Sequence, residues 1–309
     1  MRILHVMARQ GPVLLVLGLI AGASLPEVAQ ALRPYLPLLV ALLLFLTAIR
    51  VGHRRAFGSV TELRRVLLIV LCLQLVAPLL VIGGFAVFAL PIGAFSLAVV
   101  LMLAAPSVTG APNFLIMMGH EPSYAMRILV VGTALFPFTV IPVILGLPAL
   151  DAPTAIRAGV NLTMVILGAT ALGFAVRSFL LPNLDANGQR SLDGLSALAL
   201  SVIVVGLMSE IGTMLRRDAM ALLGWASAVL ALNFGLQIAT YMALKHRKLP
   251  EGTSIAIISG NRNIALFLIA LPPDVTGPLL TFIGCYQIPM YLTPIIMRYV
   301  YRSDGSTAC

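Results

Sequence analysis

The sequence predicts an all-α polytopic membrane protein, with ten transmembrane helices arranged as two inverted five-helix repeats and the fourth and ninth helices broken. Three observations predict it. The 309 residues are 60% hydrophobic and only 10% charged, with a mean hydropathy of +1.04, whereas a soluble protein carries about 25% charged residues. Apolar runs of about 20 residues, the length that crosses a bilayer, recur along the whole chain. Two of these runs are interrupted by helix-breaking and polar residues at matching places in the two halves.

The runs fall at 12–29, 35–51, 64–88, 93–119, 123–148, 156–178, 193–214, 219–244, 252–271 and 276–301. The first imitates a signal peptide, with Arg2 and Arg9 ahead of an apolar stretch and Ala21–Gly22–Ala23 as a cleavage-like site. It is read as a retained first helix, because the repeat needs it. The net charge of +9 suggests nucleic acid until its positions are read. Arg2, Arg9, Arg50, Arg54, Arg55, Arg64, Arg65, Arg127, Arg177, Arg190, Lys245, Arg247, Lys248, Arg298 and Arg302 fall on one side of the spans. Only Arg33, Arg157, Arg216 and Arg217 fall on the other. Positive charge gathers in cytoplasmic loops, so both termini are expected inside a bacterial-type inner membrane. No nucleic-acid partner is expected, and a monomer is the expected state in the bilayer. Cys72, Cys285 and Cys309 lack paired spacing and read as free thiols, two of them buried in apolar runs, without a disulfide or metal site.

The ninth run carries Ile258–Ser259–Gly260–Asn261–Arg262–Asn263 between apolar flanks. A cation inside a span is costly and marks a functional site by default. The fourth run carries Pro106–Ser107–Val108–Thr109–Gly110–Ala111–Pro112–Asn113. Pro removes backbone donors, and unpaired backbone at membrane depth is tolerated only inside protein or along a cavity. Pro106, Gly110, Pro112 and Gly260 are therefore the expected helix-break positions. Ten spans divide as five plus five, and an odd-numbered repeat inserts upside down the second time. Broken helices at matching positions of two halves point to a carrier's binding site. Thr109, Asn113, Asn261, Arg262, Asn263 and Gln287 are the candidate substrate-binding residues. Gln74 reads as an interhelical hydrogen bond or an ion ligand, and Asn233 with Gln237, spaced i, i+4, as packing.

Several stretches together resemble the bile acid:sodium symporter superfamily, over nearly the whole chain. Ser24–Leu25–Pro26, then Leu32–Arg33–Pro34–Tyr35–Leu36–Pro37 leading into Val40 through Phe45, is similar to that family's first hairpin. Gln74 followed by Pro78 looks like its third-helix pattern, one residue shorter. Pro106 through Asn113 with Gly119–His120–Glu121 resembles its fourth helix, and Pro137 its fifth-helix proline. Ser254 through Asn263 resembles the ninth-helix stretch written Thr-x-x-x-Glu-x-Gly-x-Gln-Asn. The resemblance implies a panel domain (spans 1, 2, 6 and 7) and a core domain (spans 3–5 and 8–10). It also implies broken helices 4 and 9 crossing beside substrate and sodium, and alternating access.

Where the family ligates sodium, this chain carries mostly carbon. The equivalents are Gln74, Ala111, Pro112, Ala125, Leu129, Ile258, Ser259 and Arg262, with Ile258 standing for the family's Glu and Arg262 for its Gln. The family's Glu together with its two sodium ions sums to one positive charge, and Ile258 with Arg262 sums to the same. Arg262 is therefore read as a tethered replacement for the coupling cation. Its guanidinium stays protonated and offers five fork-like donors, to broken helix ends or to a substrate carboxylate. No cofactor is expected; the coupling ion is left open between sodium, a proton and none, and a sodium-coupled symporter with non-standard ligands is the alternative within the same class. Neither a His-Glu-x-x-His nor a Gly-x-Ser-x-Gly motif is present, so an intramembrane enzyme lacks its parts. A non-transporting receptor remains the rival from another class.

Overall fold

The computed structural model describes residues 2–51, 60–147, 152–246, 249, 251–271 and 273–301. Arg54, Arg55, Arg247, Lys248, Arg302 and Cys309 lie outside the described residues. Among those described, the chain is helical and has no strand. Its helices in order are α1 (Arg2–Arg9), α2 (Gly11–Ser24), α3 (Pro26–Arg50), α4 (Leu63–Val87), α5 (Ala94–Ala104) and α6 (Ala111–Met117). They continue with α7 (Ser123–Leu145), α8 (Ala152–Leu180), α9 (Ala186–Arg217), α10 (Ala219–Lys245), α11 (Gly252–Gly260), α12 (Phe267–Ala270) and α13 (Leu280–Tyr301), with one further helical turn, Pro273–Thr276, between the last two. Seven of them (α3, α4, α7, α8, α9, α10 and α13) are long and apolar enough to cross a membrane. The bent pair α1–α2 makes an eighth if counted as one span. The chain is an all-α, multi-pass membrane protein.

One boundary differs from the sequence reading. The first helix stops at Ser24, and Leu25 leaves the helical region (φ −117°, ψ 68°). Pro26 then opens α3, because a first-turn proline loses no intrahelical bond. The expected loop around Arg33 is instead a single 3₁₀ turn inside α3.

Two compact units account for the chain, and each draws on both halves of the sequence. The first comprises residues 1–57, 148–222 and 265–284. Its α9 packs against α1, α2 and α3 through small residues, as membrane helices do when backbones approach closely. A Cβ on Gly212 would overlap the Ala23 carbonyl, and one on Gly194 would overlap Leu4. Two ion pairs lock α3 to α9: Arg33 to Glu210 at 3.0 Å, and Arg50 to Asp193. The arginines are spaced along α3 as the acids are along α9, about 25 Å of helix. That is close to the roughly 30 Å hydrocarbon thickness, so the two pairs clamp the antiparallel helices about one bilayer thickness apart.

The second unit comprises residues 58–147, 223–264 and 285–309. Its apolar centre joins Val66 and Val70 of α4, Leu115 of α6, Ile128 of α7, Ile255–Ile258 of α11 and Met290 of α13. Inside α4 the residues Cys72–Val76 form a π turn, with the Ala77 N–H reaching back to the Cys72 carbonyl. Gln74 turns inward there, and its amide lies against Gly132, where a Cβ would collide with it. Cys72 was expected to be buried but is exposed. Two residues along a helix is roughly half a turn, so the inward Gln74 sends Cys72 to the outer face.

The glycine contacts give a stability test. Gly212→Ala is expected to lower thermal stability in detergent by about 1–3 kcal/mol, the cost of overpacking. Gly224→Ala, which meets nothing within 4 Å, should leave stability unchanged or slightly raised. Equal melting temperatures for the two variants would refute this packing.

Candidate functional site at the crossing of two broken helices

The site lies within the second unit and begins with two helices that stop partway. α5 runs 11 residues and α11 runs 9, about 17 and 14 Å, or roughly half a hydrocarbon layer each. α5 ends because Ala105 turns extended (φ −63°, ψ 149°) ahead of Pro106. The residue before a proline is pushed out of the helical region in this way. The chain resumes as α6 with Gly110 as its N-cap residue and Pro112 in the first turn. The break is therefore Ala105–Gly110, and Pro112 opens the following helix. Gly119, at φ 81°, closes α6 with paired bonds, His120 N–H to Leu115 O and Gly119 N–H to Ile116 O. This is the glycine-ended pattern of helix C-termini.

The two interruptions meet as a one-residue antiparallel bridge between Ser107 and Arg262. Val108 N–H donates to Asn261 O at 3.1 Å, and Asn263 N–H donates to Pro106 O at 2.8 Å. The two bonds are related by exchanging the strands. Each break thus supplies the partner that the other needs.

Arg262 fills what remains. It is buried, with 2% of its surface exposed, and is the one buried charged residue among those described. Its Nε donates to Ser259 O at 3.1 Å, at the end of α11. One terminal nitrogen donates to Ala105 O at 3.0 Å, just past the end of α5. The other donates to Leu73 O at 3.4 Å in α4. That third carbonyl is freed by two features of α4. The π turn diverts the Ala77 N–H to Cys72, and Pro78, next in line, has no N–H. A helix C-terminus carries about half a negative charge, so two of them facing one guanidinium balance its charge in the apolar interior.

A neutral network holds the cage. The Tyr286 hydroxyl accepts from Arg262 N–H at 3.1 Å and donates to Gly260 O. Asn233 Nδ2 also donates to Gly260 O. Gln237 Nε2 donates to Asn233 Oδ1 at 2.7 Å and to Thr293 Oγ1 at 3.1 Å. Thr293 donates to Asn261 Oδ1 at 3.2 Å, and the Tyr301 hydroxyl donates to Gln237 Oε1 at 3.2 Å. Asn261 Nδ2 donates to Ile257 O at 2.8 Å. Gly260 is required at this point, because a Cβ would strike the Asn233 backbone and the Gln237 side chain.

The residues singled out from the sequence divide by exposure. Asn261, Arg262, Gln287, Ser259 and Gln74 are buried. Thr109 and Asn263 are half-buried, and Asn113 is exposed on α6. Gln74 Oε1 accepts from Thr139 at 3.3 Å. Ala111, Ala125 and Ile258 belong to one apolar cluster, and Leu129 and Pro112 are also buried. Asn233 and Gln237 carry the network rather than mere packing. Tyr286, Thr293, Tyr301 and the carbonyls of Leu73 and Ala105 were not singled out from the sequence. A tyrosine one residue before Gln287 in an apolar span was the available signal.

Neither models of known protein families nor curated proteins match the sequence.

The network predicts a graded loss. Gln237→Leu, which takes one partner each from Thr293, Asn233 and Tyr301, is expected to cost about 1–3 kcal/mol for the buried hydrogen bonds lost. Asn113→Ala on the exposed face should melt with the unaltered protein. Thermal unfolding in detergent checks both, and an unshifted Gln237→Leu would show that these bonds do not hold the unit together.

Proposed function

We propose that the chain is a secondary carrier for a small organic anion, a carboxylate, resembling the bile acid:sodium symporter superfamily, with Arg262 in place of the coupling cation. The observation that carries this reading is the Arg262 guanidinium between the C-terminal ends of two half-helices, hydrogen-bonded to Ser259 and Ala105. Interrupted helices whose ends face an ion or substrate at mid-membrane are the mark of such carriers. Counting α1–α2, α5–α6 and α11–α12 as one interrupted span each gives ten spans. They form two inverted repeats with both termini cytoplasmic by the placement of Lys and Arg, in a bacterial-type inner membrane.

Two further facts support the tethered cation. Sodium takes hard oxygen ligands, yet Ala111, Ala125 and Ile258, at positions where the resemblance implies sodium ligands, pack as hydrocarbon in one cluster. The Ser259 carbonyl, at another such position, already accepts from Arg262. The guanidinium thus acts as a fixed positive field, and the accessible polar groups for the anion are Thr109, Asn113 and Asn263. Asn261 holds the frame behind them, and Gln287 is buried. A cation that never leaves keeps the crossing assembled with or without external salt.

Uptake of labelled monocarboxylates into proteoliposomes tests the reading. Flux is expected to be equal with sodium or choline outside. Arg262→Gln, which leaves the three carbonyls facing a neutral side chain, is expected to lose at least tenfold in rate. Strict sodium dependence of the unaltered protein would sink the tethered-cation reading, as would full activity in the folded Arg262→Gln variant. Saturable binding of an anion without any flux would identify a receptor instead.

A further inference from the structure

The identity of the one charge buried among the described residues bears on which way such a carrier works. A coupled carrier moves its driving ion with the substrate, so that ion must enter and leave its site at every turnover. Here the positive charge is covalently part of α11's end and is held by carbonyls of three segments. It returns to its starting point in each complete cycle. A proton could couple only through a titrating group inside the unit. Arg262 is the one charged residue buried among those described. Among the residues of this unit whose side chains are described, the acids and histidines, His120, Glu121, His246 and Glu251, sit at helix ends and none is buried. The Tyr286 hydroxyl is fixed between the Gly260 carbonyl and the Arg262 N–H. The remaining groups of the network are amides and hydroxyls, which exchange no net charge near neutral pH.

We infer that this protein, on the carrier reading above, moves its anion without a co-transported cation, so that a membrane potential negative inside drives export. The net charge crossing per turnover is then the substrate's alone. For a monovalent carboxylate a potential of 100 mV corresponds to about 2.3 kcal/mol, which favours the outside by about fifty-fold. The fixed guanidinium lowers the cost of bringing a negative charge to mid-membrane, and does so equally from either side. Tethering the cation therefore leaves the anion site formed while removing the means to accumulate anion against the potential. A coupled importer has the opposite thermodynamics, because its ions outweigh the substrate's charge.

The test uses the full-length protein in sealed proteoliposomes loaded with radiolabelled lactate, benzoate or cholate. Potassium gradients with valinomycin set the potential, and choline or sodium serves as the other external cation. Expected is efflux accelerated by an inside-negative potential, with a steady-state distribution near tenfold outward at about 60 mV. The same distribution is expected in sodium and in choline, with or without a pH gradient. Accumulation driven by a sodium or pH gradient against an inside-negative potential overturns the export inference and leaves the carrier reading standing. Flux indifferent to potential likewise overturns the inference alone. No flux of any probe, including in counterflow at zero potential, overturns the carrier reading and the inference with it.

Discussion

A single guanidinium and three backbone carbonyls define the centre of this protein, and each side of that interaction depends on the other. A helix cannot simply stop inside hydrocarbon, because the groups it releases have no water to turn to. An arginine cannot simply sit there, because an unpaired buried charge is among the most costly features a fold can hold. The ends of α5 and α11 and the π turn that includes Leu73 release acceptors, and Arg262 brings the donors. Neither the breaks nor the cation is tolerable alone. Hydrogen bonds from a charged donor are roughly twice as strong as neutral ones. Three of them, supplemented by two helix dipoles, replace the hydration that the guanidinium gives up.

The remaining polar groups at the crossing fit the same accounting. Released N–H groups at Val108, Arg262 and Asn263 find Asn261 O, the Tyr286 hydroxyl and Pro106 O. The Gly260 carbonyl takes donors from Asn233 and Tyr286. Behind that layer Gln237, Thr293 and Tyr301 orient Asn233 and Asn261. A satisfied buried network is stiff, because losing any member strands the others. Stiffness matters here, since the carbonyl positions set the field that Arg262 experiences.

How much of this was legible in the sequence follows from where each signal resides. The apolar helices and the two interruptions are written in side chains, as hydropathy, Pro106, Gly260 and Arg262, and are legible directly. The partners of Arg262 are main-chain atoms, and no residue type announces a free carbonyl. Leu73 is invisible until the π turn and Pro78 are seen acting together. Asn233 and Gln237 showed their spacing but not their target, which lies on another helix. Tyr286, Thr293 and Tyr301 read as ordinary residues of an apolar span, because their role depends on which way the α13 face turns. The end of the first helix at Ser24 was missed because Pro26 does not break a helix here but begins one. Cys72 was misplaced for a related reason, since the π turn sets which residues of α4 face inward.

The pairing of Arg262 with Ile258 is the last element of the design, and it follows from geometry. Residues 258 and 262 are four apart, the spacing at which an acidic side chain reaches a following arginine. α11 ends between them, and a carboxylate at 258 would be a second buried charge in the same unit as the guanidinium. A bidentate acid–arginine pair is stronger than bonds to neutral carbonyls, so it would draw Arg262 off the ends of α5 and α11 and leave those acceptors unpaired. With Ile258 fully buried in the apolar cluster, no carboxylate from that position competes, and all three directions of the guanidinium fork go to backbone. Lysine could not substitute, since a compact ammonium lacks the rigid planar spread that reaches three separate segments. The hydrocarbon at 258 and the planar cation at 262 are therefore one feature: the first keeps the second pointed at the helix ends.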